Sequence, residues 1–182
     1  MESRRVAIIG VGTLLFSDQG LGLHIVRNLM QQGVPDHVEC IEEGAWGLNL
    51  IPWMDDRDKV IFVSAMPTGS DPGTVRRMSL PDLKVLIETQ PRSGAKPAEV
   101  ACVTESRAEP EDDHPSDEEV LMETINLARY LGITPEVIII AVEPADTEPG
   151  TDLSDVLGKR VPAIVAAVKG EMSVNSSTKA RK

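Results

Sequence analysis

The stretch VAIIGVGTLLFSDQGLGLHIVRNL, Val6 to Leu29, decides the fold. Val6 to Ile9 is an apolar, largely β-branched run without alternation, the pattern of a strand covered on both faces. Gly10 and Gly12 follow and permit a sharp turn or a close backbone approach. A loop with Ser17, Asp18 and Gln19 leads into a helix whose Leu21, Ile25 and Leu29 recur at i, i+4 and i+8. Ser17 or Asp18 is expected to cap that helix. Strand, glycine turn, loop and helix in this order open many α/β proteins, and they set the loop at the carboxyl end of a strand, where open α/β sheets keep their sites.

Outward from this unit the alternation continues. Gly33 and Pro35 end the first helix. Val38–Ile41 is the next strand, and a short helix through Leu48, Leu50, Ile51 and Met54 begins near Pro52. Lys59–Val63 is the third strand, and Val75–Met78 reads as an edge strand. Residues 79–113 carry Pro81, Pro91, Pro97 and Pro110 mixed with charge and read as a long insertion, with one further strand at Ala98–Thr104. Ser116–Glu119 is a capping box that starts a helix closed by Gly132. Pro135–Val142 is the most hydrophobic strand, and the last helix buries Val161, Ile164, Val165 and Val168. The expectation is a single α/β domain over residues 1–170, a three-layer fold with a twisted, mostly parallel sheet between helices, and a flexible tail over 171–182.

Composition narrows the function. A net charge of −11 argues against nucleic acid or an anionic membrane surface as the main partner. No apolar run approaches the ~20 residues of a membrane span, and the N-terminal run stops at glycines without a cleavage site. Cys40 and Cys102 have no C-x-x-C spacing and read as free thiols of a reducing cytoplasm. A dinucleotide fingerprint would need a third glycine where Leu15 stands. A nucleophile elbow would need glycines around Ser64, which Val63 and Ala65 flank instead. His24 and His37 read as solvated or locally satisfied.

Five collinear segments carry a resemblance. GVGTLLFSDQGLGLHIVRNL, EEGAWGLNLIPWM, DKVIFVSA, DPGTVRR, and GITPEVIIIAVEPADTEPGTDLSDVL with its VPAIV helix resemble the hydrogenase maturation proteases. These endopeptidases trim the C-terminus of nickel-iron hydrogenase large subunits. The resemblance implies the same three-layer fold, and it implies recognition of the nickel already held by the precursor rather than a permanently bound cofactor. In the family a carboxylate in the first loop, an aspartate ending the third strand and a histidine starting the later helix meet that nickel. Those positions fall on Gln19, Ser64 and Asp117, and none matches.

A glutamine amide brings no negative charge to a divalent cation, and a serine hydroxyl is rarely a ligand. Asp18 matches the acid before the first ligand, and Glu42 stands for the aspartate of the second motif. With His114 shifted toward the histidine position, Asp18, Glu42, His114 and Asp117 are the candidates for a remodelled oxygen and nitrogen site. The simpler expectation is that Asp18 caps a helix and His114 lies in a loop. The resemblance thus implies a cytoplasmic protein that binds a hydrogenase large subunit or related metalloprotein without the family's proteolysis. Its cleft would be lined by Gly44, Trp46, Gly47 and Met66. The alternatives are an active endopeptidase with a remodelled site, and a non-enzymatic subunit of an enzyme complex.

Overall fold

The computed structural model of the chain describes residues 4–89 and 115–173. Its strands are β1 (Val6–Val11), β2 (Val38–Glu43), β3 (Lys59–Ala65), β4 (Val75–Met78) and β5 (Glu136–Val142). They form one sheet in the order β2-β1-β3-β5-β4, with every pairing parallel except the antiparallel β4–β5 edge. Its helices are α1 (Leu21–Gln32), α2 (Ile51–Met54), α3 (Leu80–Thr89), α4 (Asp117–Tyr130) and α5 (Asp155–Ser173).

The sheet has a core on each face, as alternate residues of each strand point opposite ways. Ala7, Ile9, Val60 and Phe62 meet residues of α2, α3 and α4, including Met54, Leu83 and Leu121. Ile8, Ile61, Val63 and Ile140 meet α1 and α5 through Leu21, Ile25 and Ile164. This is the expected three-layer architecture. All six residues of β1 are buried, which explains why its sequence shows no polar alternation.

The glycines of the opening stretch have a packing purpose. Gly10 on β1 faces Gly22 on α1; a Cβ on Gly10 would lie 2.2 Å from the Gly22 carbonyl oxygen. The first turn of α1 therefore rests directly on the strand backbone. No side chain caps α1, whose N-cap residue is Gly20, so the expected capping by Ser17 or Asp18 is not what these residues do. Both are buried and turned toward another loop.

Other expectations are corrected near the insertion and the tail. Leu80–Thr89, read as the front of the insertion, is helix α3, with Leu83 and Leu86 in the core. Pro81 sits in its first turn, where a missing N–H costs nothing. The Ser79 N–H and hydroxyl both donate to the Asp82 carboxylate and close the start. The proline was a helix starter, not a breaker. Helix α5 runs to Ser173, past the Gly170 limit set for the domain, and Pro162 lies inside it. Glu171 there is buried and bonds Lys59, the first residue of β3. The expected strand at 98–104, Cys102 and His114 lie outside the described residues. The capping box at Ser116 and Glu119 forms in full. Among the described residues no helix is long and apolar enough to cross a membrane.

Candidate functional site

The sheet order places β1 between β2 and β3, so the chain steps from β1 to one side at β2 and then crosses to the other side at β3. Such a switch point opens a crevice. At this end the turn after β1 packs on β3, and the loop after β2 meets the start of α4 through a hydrogen bond between Trp46 and Asp117.

The loop after β1 is held tightly. Gly12 has φ +145, and a Cβ there would lie 1.9 Å from the Gln19 carbonyl oxygen. Ser17 to Gly20 form a 3-10 turn packed on β3. Ser17 has φ 39, a left-handed conformation costly for a residue with a Cβ. Its hydroxyl donates to the Glu148 carbonyl at 3.0 Å, and its N–H to that of Gly150 at 2.8 Å.

Asp18 is fully buried. Its carboxylate accepts from the N–H of Ala145 and of Asp146, both at 2.9 Å, and from the N–H and hydroxyl of Ser154 at 2.8 and 2.9 Å. Both oxygens are committed to the loop between β5 and α5. This carboxylate neither caps α1 nor faces the crevice; the expectation that it could join a metal site is corrected, because four donors already occupy its lone pairs.

The three positions singled out by the resemblance, Gln19, Ser64 and Asp117, are in different states. Gln19 is exposed. Ser64 is buried, and its hydroxyl donates to the Ala65 carbonyl at 3.0 Å. Asp117 opens α4; the residue is exposed overall, yet burial of its carboxyl holds its pKa above the ordinary aspartate value. A hydrogen bond from the Trp46 indole pulls it the other way. Trp46 is half-buried and tilted against Phe62, ring centroids 6.0 Å apart, so it serves as packing as much as surface. In a Trp53→Phe variant, which keeps Trp46 alone, emission is expected to change at a pH above ~3.9 as Asp117 ionises, and to stay flat in Asp117→Asn.

The remaining candidates disperse. Glu42 is exposed and paired with Arg27 on α1 at 2.8 Å. Met66, expected to line the cleft, is buried in the core instead. Gly44 is exposed and Gly47 half-buried. His114 lies outside the described residues. His24, expected to be locally satisfied, has its Nε2 buried without a hydrogen-bond partner. Among the described residues no three His, Cys, Asp or Glu side chains converge as a metal site would require.

Two residues at this end of the sheet escaped the sequence reading. Ser154 accepts from the Leu157 N–H as the N-cap of α5 while donating to Asp18. A serine three residues before Leu157 was the available signal. Glu143, just past β5, accepts from the N–H and hydroxyl of Thr68 at 2.6 and 2.8 Å and from the Ser70 N–H. It fastens the loop after β3 much as Asp18 fastens the loop after β1.

With this geometry in place, comparison with known proteins is direct. The model of the hydrogenase maturation protease (HycI) family matches residues 23–93. A protein of Methanocaldococcus jannaschii named as a hydrogenase maturation protease is 35% identical over 85 residues, 46% of this chain and 55% of the relative. The hydrogenase 2 maturation protease of Escherichia coli K12 is 36% identical over 73 residues, 39% of this chain and 44% of the relative. The chain thus spans about half the length of these relatives. The hydrogenase maturating endopeptidase HybD from E. coli superposes with a TM-score of 0.72 at 23% identity, covering 92% of this chain and 91% of that one.

The chain is similar to the hydrogenase maturation proteases over residues 23–93 and shares their fold.

Gln19 and Ser64 stand on segments that carried the resemblance, in the turn that packs on β3 and on β3 itself, while Asp117 opens α4 against Trp46. The HycI protease from Thermococcus kodakarensis shares the architecture at a TM-score of 0.66 and 14% identity, which speaks to the fold alone.

Proposed function

We propose that this hydrogenase maturation protease homologue is a cytoplasmic protein that binds a nickel-iron hydrogenase large subunit, or a related metalloprotein, in the crevice at the end of β3. It does so without the family's proteolysis. One observation carries this reading: of the two adjacent residues in the turn after β1, the exposed one is Gln19, a neutral amide, while the carboxylate of Asp18 is buried in hydrogen bonds. Ser64 adds a hydroxyl already donating to its own strand end, and Asp117 is engaged by Trp46. A nickel ion presented by a precursor would meet at most one anionic group among the three positions, which is weak support for a divalent cation. The fold that shapes a partner site is retained while the ligands are not, so recognition can outlast the reaction.

Incubation with nickel-loaded and nickel-free precursor tests this. Both forms are expected to bind with affinities within about twofold of each other, and intact-mass spectrometry is expected to show no loss of the precursor's C-terminus. C-terminal trimming that disappears in Asp117→Ala would overturn the reading in favour of a remodelled endopeptidase.

A further inference from the structure

The anchoring of the Ser17–Gly20 turn exceeds what closing a loop requires. Its backbone is fixed from two sides. On one side Gly12 lies under the Gln19 carbonyl, with no room for a Cβ. On the other, the Asp18 carboxylate takes four donors from the loop between β5 and α5, and the Asp18 N–H donates back to the Asp146 carbonyl at 3.1 Å. Ser17 between them is held in a left-handed conformation. Strain of that kind persists only where the surroundings over-determine it, and it clusters where a group must be held in one orientation. The group held is Gln19: its N–H is bonded to the Phe16 carbonyl at 2.9 Å, and its side chain alone faces solvent.

We propose that Asp18 is a positioning residue that acts through Gln19. By tying the turn to the loop between β5 and α5, it presents the Gln19 amide to the partner in one orientation. The chemistry that such an amide reads is a neutral polar group, with one donor and one acceptor available, as on a peptide backbone. Holding it in place removes an ordering cost from binding. Charge-assisted bonds to backbone N–H groups suit this task, being shorter and stronger than neutral ones. Asparagine at position 18 would keep the shape but turn an N–H toward donors. The inference rests on the proposed binding of a hydrogenase large-subunit precursor for its partner, but not for its geometry.

Two measurements on the full chain separate these. Without partner, amide exchange in Asp18→Asn is expected to accelerate at least about tenfold at Gln19, Ala145, Asp146 and Ser154, while core amides of β1 and β3 keep their protection. Ser154→Ala, which removes one donor only, gives a smaller change at the same sites and serves if Asp18→Asn does not fold. With the purified precursor as probe, Asp18→Asn is expected to bind about tenfold more weakly, much of it in the on-rate, since the competent orientation is then only partly populated. In a Gln19→Ala background the same substitution is expected to cost less than twofold. Unchanged exchange at Gln19 in both variants, or an equal tenfold loss in the Gln19→Ala background, would overturn the positioning role. Wild-type protein that binds no precursor, together with the expected exchange pattern, would overturn the partner assignment and leave Asp18 holding Gln19 for another ligand.

Discussion

Gly22→Ala is expected to destabilise the fold by about 3 kcal/mol or more. Its Cβ would stand 2.3 Å from the Val63 carbonyl oxygen, 2.5 Å from that of Val11 and 2.7 Å from the Val11 nitrogen. All three are backbone atoms of β1 and β3, where no side chain can turn aside. Helix α1 would have to lift from the sheet, loosening Leu21, Ile25 and Leu29, each fully buried. Gly158→Ala on the outer side of α5 is the control. A Cβ there meets nothing within 4 Å, so the change is expected to stabilise by up to ~1 kcal/mol. Denaturant midpoints of the two variants should move in opposite directions. Equal midpoints would mean that α1 does not sit on the sheet through its glycines.

Lys59→Met is expected to cost roughly 3 kcal/mol at neutral pH, because it strips a buried carboxylate of one of its two cationic partners. Lys59 is 1% exposed, and its ammonium donates to the Glu171 carboxylate at 2.7 Å and to the Glu171 carbonyl at 2.9 Å. Arg77 on the edge strand β4 is the second cation on that carboxylate, so the group is not left wholly unpaired. Burial by itself would raise the Glu171 pKa. Hydrogen bonds from Arg77 and Lys59, and their charges, outweigh it and hold the carboxyl below the usual glutamate range.

A depressed carboxyl contributes stability that is present above the unfolded-state pKa of ~4.3 and lost as pH falls through the folded-state value. In Lys59→Met the Glu171 carboxyl keeps the burial but loses one cation, so protonation relieves it. The stability gap between wild type and variant is therefore expected to be widest at neutral pH and to narrow toward pH 3. Denaturant titrations at pH 7, 5 and 3 measure it. A gap that stayed constant would show that the loss came from packing rather than from the ion pair.

Both effects bear on how much could be read from residues alone. Gly10 and Gly12 were legible as a sharp turn or a close backbone approach, whereas Gly22, the partner that α1 brings against β1 and β3, was not singled out. The buried stripe of α1, the unalternating strands and the Ser116–Glu119 box were also legible, since each is encoded within a few residues of itself. Helix α3 was misread for the opposite reason: Pro81 signals a helix start or a helix end according to where the first turn falls, and the Ser79–Asp82 pairing that settles this is weaker than a full box. The Lys59–Glu171 bond joins residues 112 apart in the chain and carries no periodic signal. The end of α5 accordingly looked like tail.

The candidate site divides in the same way. Sequence by itself determined the family likeness, the layered α/β fold, and the absence of the expected carboxylate, aspartate and histidine at positions 19, 64 and 117. Those are matters of residue type and order, which sequence states directly. Tertiary structure alone decided that Asp18 turns inward to the Ala145–Ser154 segment while Gln19 turns out, and that Trp46 joins Asp117 to Phe62. Adjacent residues in a tight turn point different ways. Which of them meets solvent depends on donors more than 120 residues further along the chain, brought there by the pairing of β3 with β1 and β5.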